Sequence, residues 1–526
     1  MSQTGAGTLR RVFSISCIAV MLAGAAVAQD SGEIEIFQYE GGGIYEGTFR
    51  GGVQHGIGTY RLPNGYEYTG EWVDGEILGQ GRAVFPDGSI YEGSFVAGRP
   101  EGFGLITFAD GSTYEGEWAE GRINGTGLAL YANGVRYEGE FRNALHHGQG
   151  TMTSPNGYRY EGAWVNGLKQ GLGRITYPDG AIYEGNFEAG QRSGQGRLEM
   201  PDGVIYEGEW AEGQINGTGV LTQPNGDVYE GQLVNGQRQG RGIVRYANGD
   251  RYEGDFANDR RHGQGEFRGV DGYLYVGQWI DGRIEGEGRV TYPDGSVYEG
   301  SFRNDLAHGR GTITYEDGST YEGDWVEGVI QGFGIATFTN GLVYEGQFLN
   351  ARQHGQGVMT NANPDYDPEA AAAALAAGDS YDVPQFLYRY EGAWADGLRH
   401  GQGIATYEDG TVYEGGFTAG QRDGEGTLTM PDGFTYTGEW QGGEINGTGR
   451  ATYANGDVYQ GLFVNGTRQG AGTMTYAATD NETARVVQGQ WEDGRLIRSA
   501  GAPEGEDPET PPEGAEPETA DPAGNG

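Results

Sequence analysis

Apolar and polar residues alternate over short stretches along nearly the whole chain. Tyr91-Glu92-Gly93-Ser94-Phe95 is typical, with rings at odd places and small or charged residues between them. A period of two is that of a strand with one buried face. The stretch also recurs. Tyr-x-Gly begins at Tyr45, returns every 23 residues to Tyr344, and resumes at Tyr390, Tyr413, Tyr436 and Tyr459, which makes 18 units. A worn nineteenth follows at Gln488-Gly489-Gln490-Trp491. With the tyrosine as repeat position 1, glycine fills positions 3, 12 and 14 in every unit, and position 5 is Phe or Trp except at Leu233. Position 16 is apolar or aromatic, as at Tyr60, Ala83, Ile106 and Met152.

Two strands per unit follow. Positions 1–6 form the first strand and positions 10–18 the second. Glycine at position 8, as at Gly75, Gly98 and Gly121, marks a turn that we place at positions 8–9. Positions 20–21 are Asp-Gly or Asn-Gly in 16 of 18 units. That suits a three-residue loop at 19–21, a type I turn followed by a left-handed glycine. This register sets position 5 against 12, 3 against 14, and 1 against 16. Tyr91 then neighbours Ile106, and Phe95 crosses from Gly102. Position 16 also faces the next unit's position 1, so the steps add to the observed period and keep the rings on one face. Bare glycine backbone lets those rings lie across the neighbouring strand.

The residues Tyr91-Glu92-Gly93-Ser94-Phe95, with Gly98, Gly102 and Gly104 following, resemble the MORN family (membrane occupation and recognition nexus). The resemblance covers about residues 39–495. It implies tandem β-hairpins stacked into a single sheet, used as scaffolding or dimerising parts and sometimes set beside a catalytic domain. No such domain has room here. The expected fold is all-β: an elongated single-layer antiparallel β-meander of about 18 tandem 23-residue hairpin repeats. Thirty-six strands spaced ~4.8 Å apart give a ribbon of roughly 170 Å before twist.

The expected organisation is a signal peptide at 1–28, a lead-in at 29–39, an array of 14 units at 40–360, an insertion at 361–389, four further units with the worn one at 390–498, and an acidic tail at 499–526. Arg10 and Arg11 precede an apolar run from Val12 to Val27, and Ala26-Val27-Ala28 fits a small-x-small cleavage pattern. Cleavage between Ala28 and Gln29 would export the chain to a periplasm, a cell surface or the medium. An uncleaved signal would instead anchor it to a membrane. In the insertion, Asp367-Pro368-Glu369, Ala370–Ala377 and Gly378 read as a short capped helix. A smaller insertion near Thr479–Ala484 widens the last hairpin. From Gly501 the tail holds six Pro, eight acids and no base, a composition expected to be disordered.

Charge narrows the partners. Asp and Glu number 75 against 34 Lys and Arg, a net charge of −41; removing residues 1–28 removes two Arg and leaves 75 against 32, or −43. Such a surface repels phosphate backbones, so nucleic acid is excluded and an anionic membrane surface is disfavoured. The mature chain has no cysteine, because Cys17 lies in the signal. One residue in five is glycine (103 of 526), without collagen's triplet spacing.

Position 5 alternates Phe and Trp, so the unit of descent is a 46-residue pair. Duplication and alternating ring size for packing explain this blandly. The sharper reading is a ladder for stacking sugar rings, with Trp72, Trp118, Trp164, Trp210, Trp279, Trp325, Trp394 and Trp440 as the candidate interaction face. Six histidines sit at position 11 (His55, His147, His262, His308, His354, His400) and His146 beside one of them, too scattered to converge on a metal. Glutamate at position 2 recurs in 14 units, and arginine at position 15, such as Arg174 and Arg197, stands opposite it as a cross-strand ladder. No phosphate loop surrounds Lys169 and no nucleophile elbow is present. The chain is therefore read as non-enzymatic, with no cofactor and no metal. It is an extended scaffold or protein-interaction surface of the cell envelope, capable of self-association; the alternative is a glycan- or lipid-binding module using the aromatic face.

Overall fold

The computed structural model describes residues 32–378, 380–381, 383, 385–478 and 483–500. The expected signal, its cleavage site at Ala28 and Gln29, and the tail from 501 lie outside the described residues, as does part of the insertion near Thr479. The chain forms two compact units that divide after Pro201. The first holds fifteen strands, from Glu35–Gln38 to Gln191–Glu199; the second holds 24, from Ile205–Ala211 to Arg495–Ser499, and the helix Pro368–Ala377. Within each unit, neighbours in sequence pair antiparallel, as Ile90–Val96 does with Arg99–Thr107 and Arg99–Thr107 with Thr113–Ala119. All-β hairpin repetition is thus the fold.

The inner half of each hairpin follows the expected register. Tyr91 pairs with Ile106, Glu92 with Leu105 and Gly93 with Gly104. Between hairpins, Ala83 pairs with Tyr91 and Ile106 with Tyr114, so each tyrosine lies between two position-16 residues. The three-residue loop is also as read. Phe85 donates its N–H to Ser89 O at 2.8 Å, Gly88 donates to Phe85 O at 2.9 Å, and Gly88 sits at φ 90. The Asp87 carboxylate accepts from Ser89 N at 2.9 Å, which is why Asp or Asn holds position 20.

The outer half differs. Phe95 does not cross from Gly102; it pairs with Pro100 in its own hairpin and with Gly79 of the preceding one. Two features cause the shift. The first turn occupies positions 7–8, not 8–9, with Val96 against Arg99 and with Ala97 and Gly98 at φ 47 and 74. Positive φ at both places gives the twist that joins adjacent strands tightly. The second strand then bulges by two residues between the 14 and 10 pairings, and Gly102 takes up the bulge at φ 75. A two-residue bulge preserves parity, so the rings stay on one face.

The ends also differ from the expected boundaries. Residues 35–38 of the lead-in are a strand, with Phe37 against Tyr45 as position 16 stands against position 1. The array therefore opens on half a repeat. The worn nineteenth unit is a hairpin, Arg485–Glu492 with Arg495–Ser499, and its Trp491 is buried. The insertion helix forms as expected: the Asp367 side chain accepts from Glu369 N and Ala370 N, and Gly378 closes it in the left-handed region. None of its residues is buried.

Candidate interaction surface

The ring face is built from four columns. Tyrosine at position 1 is fully buried, and its hydroxyl donates to the carbonyl of position 4, as from Tyr91 to Ser94 O at 3.0 Å and from Tyr160 to Ala163 O at 2.9 Å. The ring lies flat over its own hairpin. A Cβ added at Gly104 would come 2.5 Å from Cε2 and Cζ of Tyr91. Position 5 stands edge-on between two tyrosines: Trp118 is 5.0 Å from Tyr91 and 5.8 Å from Tyr114, and Phe141 is 5.0 Å from Tyr114 and 4.9 Å from Tyr137.

The eight tryptophans expected as an interaction face are core. Trp72, Trp118, Trp164, Trp210, Trp279, Trp325, Trp394 and Trp440 are all between 3% and 8% exposed. Their indole N–H groups serve the backbone: Trp72 donates to Gly58 O, Trp118 to Gly104 O and Trp440 to Gly426 O, each at 3.3 Å. Trp279 is the exception; its Nε1 is buried without an acceptor among the described residues, and the Arg261 guanidinium lies 4.0 Å over its ring. No sugar can stack on rings covered in this way.

Position 10, which sequence reasoning missed, fills the gap between rings. It is Ile123 or Ile284 under tryptophan, and often arginine under phenylalanine, as Arg422 lies 5.6 Å over Tyr413. His146 holds this place, stacked at 3.7 Å on Tyr137 with Nε2 2.7 Å from the Tyr131 hydroxyl. Burial pushes its imidazole down to about 4. Lys169 also sits here, its Nζ 2.5 Å from the Tyr158 hydroxyl, and burial lowers its pKa.

Position 11 caps the next hairpin's turn. His55 Nδ1 accepts from Asp74 N at 3.4 Å and His308 Nδ1 from Glu327 N at 3.4 Å; Asn124 and Asn216 do the same for Asn143 N and Asn235 N at 2.9 and 2.8 Å. Any acceptor of suitable length fits, so His55, His147 and His308 serve as caps, whereas the Nδ1 of His354 is buried without a partner among the described residues. Among the described residues no group of three metal-ligating side chains converges. The outer face carries the acid ladder, with Glu92 opposite Arg82 and ion-paired to it at 3.4 Å.

A further row of rings lies beside the loops. Positions 18 and 22 face each other there, and most loops carry one aromatic at one or the other: Tyr66, Phe85, Phe108 and Tyr131 in the first unit, and Tyr273, Tyr292 and Tyr315 in the second. These rings are exposed or half-buried, and neighbours lie near 6 Å, as Tyr66 to Phe85 at 5.9 Å and Tyr273 to Tyr292 at 6.2 Å. In the first unit they border a shallow groove of about 550 Å³ floored by Tyr91, Ile106 and Trp118. The signal is present in sequence as a ring just before or just after most loops.

The MORN repeat model matches eighteen consecutive segments, from residues 45–65 to 459–479. No curated protein matches the chain. Among solved structures, the SAS-4 (dCPAP) TCP domain of Drosophila melanogaster, in complex with a proline rich motif of Ana2 (dSTIL), is 17% identical over 30% of this chain and 85% of that one, with a TM-score of 0.21. The TCP10 domain of Danio rerio CPAP is 13% identical over 46% and 93%, with a TM-score of 0.14. Virginiamycin B lyase from Staphylococcus aureus is 10% identical over 57% and 97%, with a TM-score of 0.10.

Proposed function

The chain belongs to the MORN repeat family, and from that premise we propose that it works as a non-catalytic, exported scaffold whose repeated surface binds protein partners in the cell envelope. The observation that carries this reading is the complete use of the tryptophan column as core. What remains open to a partner is a loop-edge row of exposed or half-buried rings, present at most loops, and an outer face with glutamate at position 2 in 14 of the units. Repeat arrays of this kind bind through extended surfaces and lengthen by duplication. Export rests on Arg10, Arg11, the apolar run to Val27 and Ala26-Val27-Ala28.

Two measurements test the reading. Mass spectrometry of the fractionated protein should find a mature N-terminus at Gln29 in the periplasmic, surface or secreted fraction; a retained Met1 in cytosol would refute export. Cross-linking in intact cells should recover a defined protein partner, with capture lost when Tyr292 and Tyr315 are replaced by Ser. Saturable binding of purified cell-wall glycan, with no partner lost on those replacements, would overturn the protein-scaffold reading.

A further inference from the structure

The first and last strands of the array have a neighbour on one side alone. Among the described residues Glu35–Gln38 pairs with Ile44–Arg50 and with no other strand, and Arg495–Ser499 with Arg485–Glu492 and no other. Each is the second strand of a hairpin. Phe37 shows what is missing. It stands at position 16, where Ile106 lies between Tyr91 and Tyr114 and is 7% exposed; with Tyr45 alone beside it, Phe37 is 51% exposed. Ile36 at the first edge and Ile497 at the last are exposed too. An open edge of this kind is a template for another strand.

The pairing fixes which backbone groups face outward. Tyr39 donates its N–H to Gly43 O at 2.7 Å, and Ala500 donates to Gln488 O at 2.6 Å. Alternate residues of a strand bond to opposite sides. Phe37 and Glu35 therefore bond inward, and Ile36 and Gln38 turn their N–H and C=O to the open side. At the other end Arg498 bonds inward, and Ile497 and Ser499 face out.

The side chains sort in the same way. On the first edge Glu35 shares the ring face with Phe37, and Ile36 points to the outer face. On the last edge Arg495 and Arg498 stand on the outer face, opposite Glu492 and Gln490, and Leu496 lies against Trp491 on the ring face. The first strand holds an acid and no base, and the last holds two bases and no acid. Because both are second strands, joining them antiparallel turns one copy over: the ring face of one edge meets the outer face of the other. Glu35 then shares a face with Arg495 and Arg498, and Ile36 with Leu496. Setting Ile36 opposite Ile497 brings the outward backbone groups together. It also sets Glu35 opposite Arg498, at a place without ladder hydrogen bonds where side chains come closest. Two first edges would bring acid to acid, and two last edges arginine to arginine.

We propose that the occupant of these edges is a second copy of this chain: Glu35–Gln38 of one copy adds antiparallel to Arg495–Ser499 of another, turned over, so that copies join head to tail. Each union leaves one free edge of each kind, so it can be repeated. The inference goes beyond the capture of outside partners and does not depend on it.

The test is sedimentation velocity of the mature chain over a wide range of concentration. The average mass should rise with concentration and pass that of a dimer. Ile36→Pro and Ile497→Pro each remove an outward N–H and leave the inward bonds in place, a position at which an edge strand tolerates proline. Either variant alone should stay monomeric. Mixed, they should form a one-to-one heterodimer and nothing larger, because only one free edge of each kind remains. Charge supplies a second check without proline. Glu35→Arg and Arg498→Glu should each weaken association about fivefold, and the chain carrying both should recover it to within about twofold. A parent that is monomeric at every concentration or stops at a dimer, a homodimer of either proline variant, or a double exchange no better than the single ones would overturn the proposal. The monomeric proline variants keep Tyr292 and Tyr315, so capture of outside partners is measured on them and the two readings fail separately.

Discussion

At the scale of the residue, the pairing of Tyr with Gly carries the fold. Tyr91 covers Gly93 and Gly104, and a methyl group at either meets the ring or the facing backbone. Gly104→Ala should therefore destabilise the 90–107 hairpin by about 1–3 kcal/mol, the usual cost of overpacking. Amide exchange in Ile90–Val96 and Arg99–Thr107 would read it locally. The same burial sets the response to base. It pushes the Tyr91 and Tyr344 hydroxyls up to about 12. Unfolded phenols release their protons near ~10, folded ones later, so the folded state holds more protons in between and stability falls as pH rises through that window. The part of the phenolate absorbance that belongs to the position-1 rings should rise only together with the loss of strand signal. Ionisation of every tyrosine while the strand signal is intact would contradict this. His146 gives the acid counterpart. Its imidazole is held neutral down to about 4 while an unfolded histidine takes up its proton near ~6.5, so stability is lost as pH falls between those values and is flat below. His146→Ile, the residue found at 123 and 215, should remove that slope from exchange measured in Leu145–Thr153.

At the scale of the element, the hairpin is governed by a turn whose residues disguise it. Position 7 is left-handed in every described turn of the repeats, yet it is Ala97, Glu120, Ala189 or Ala419 as readily as Asn166 or Asn235. Left-handed backbone costs an alanine ~1–2 kcal/mol that Asn or Gly largely avoids. Ala97→Asn should thus stabilise its hairpin by about 0.5–1 kcal/mol, seen as slower exchange at Val96 and Arg99; a loss of stability would mean the turn is not held as described. The disguise explains what could be read beforehand. Strand alternation, the 23-residue period, the Tyr91 to Ile106 pairing, the Pro-Asp-Gly loop and the capped helix at 368–377 were legible, because each depends on local chemistry with a fixed residue signature. The crossing of Phe95 was not, because an alanine gives no hint of positive φ and a glycine at position 12 serves a bulge as well as a ring. The position-11 caps were hidden for a related reason: His, Asn, Gln and Glu share only an acceptor atom. The tryptophans misled because exposure cannot be judged from spacing, and here both faces of each ring meet tyrosine.

At the scale of the whole molecule, the question is what the Phe and Trp alternation does. Within each unit the interior position-5 rings touch the tyrosines on either side of them, as Trp118 touches Tyr91 and Tyr114, Phe141 touches Tyr114, Trp325 touches Tyr298 and Tyr321, and Phe348 touches Tyr321. The partner below each ring belongs to the same repeat: Trp325 pairs with Ile330 and Phe302 with Ala307. The indole N–H also reaches only one strand back, from Trp325 to Gly311 O at 3.2 Å. Alternation is therefore not enforced by contact between neighbours, and it reads as the trace of a duplicated pair. Repeat arrays of nearest-neighbour contacts lose stability in proportion to units removed, with little dependence on which one is taken. Excising residues 298–320, one period, sets Trp279 next to Trp325; excising 298–343, a full pair, keeps the alternation. Both chains should fold, with thermal midpoints within about 2–4 °C of the parent, the shift expected for a change of ~1 kcal/mol in a domain of moderate size. Excising 298–309 leaves half a hairpin and joins strands of the same direction, so it should cost far more and expose hydrophobic surface to dye. A single-unit excision that fails where the pair excision succeeds would show that alternation is structural after all.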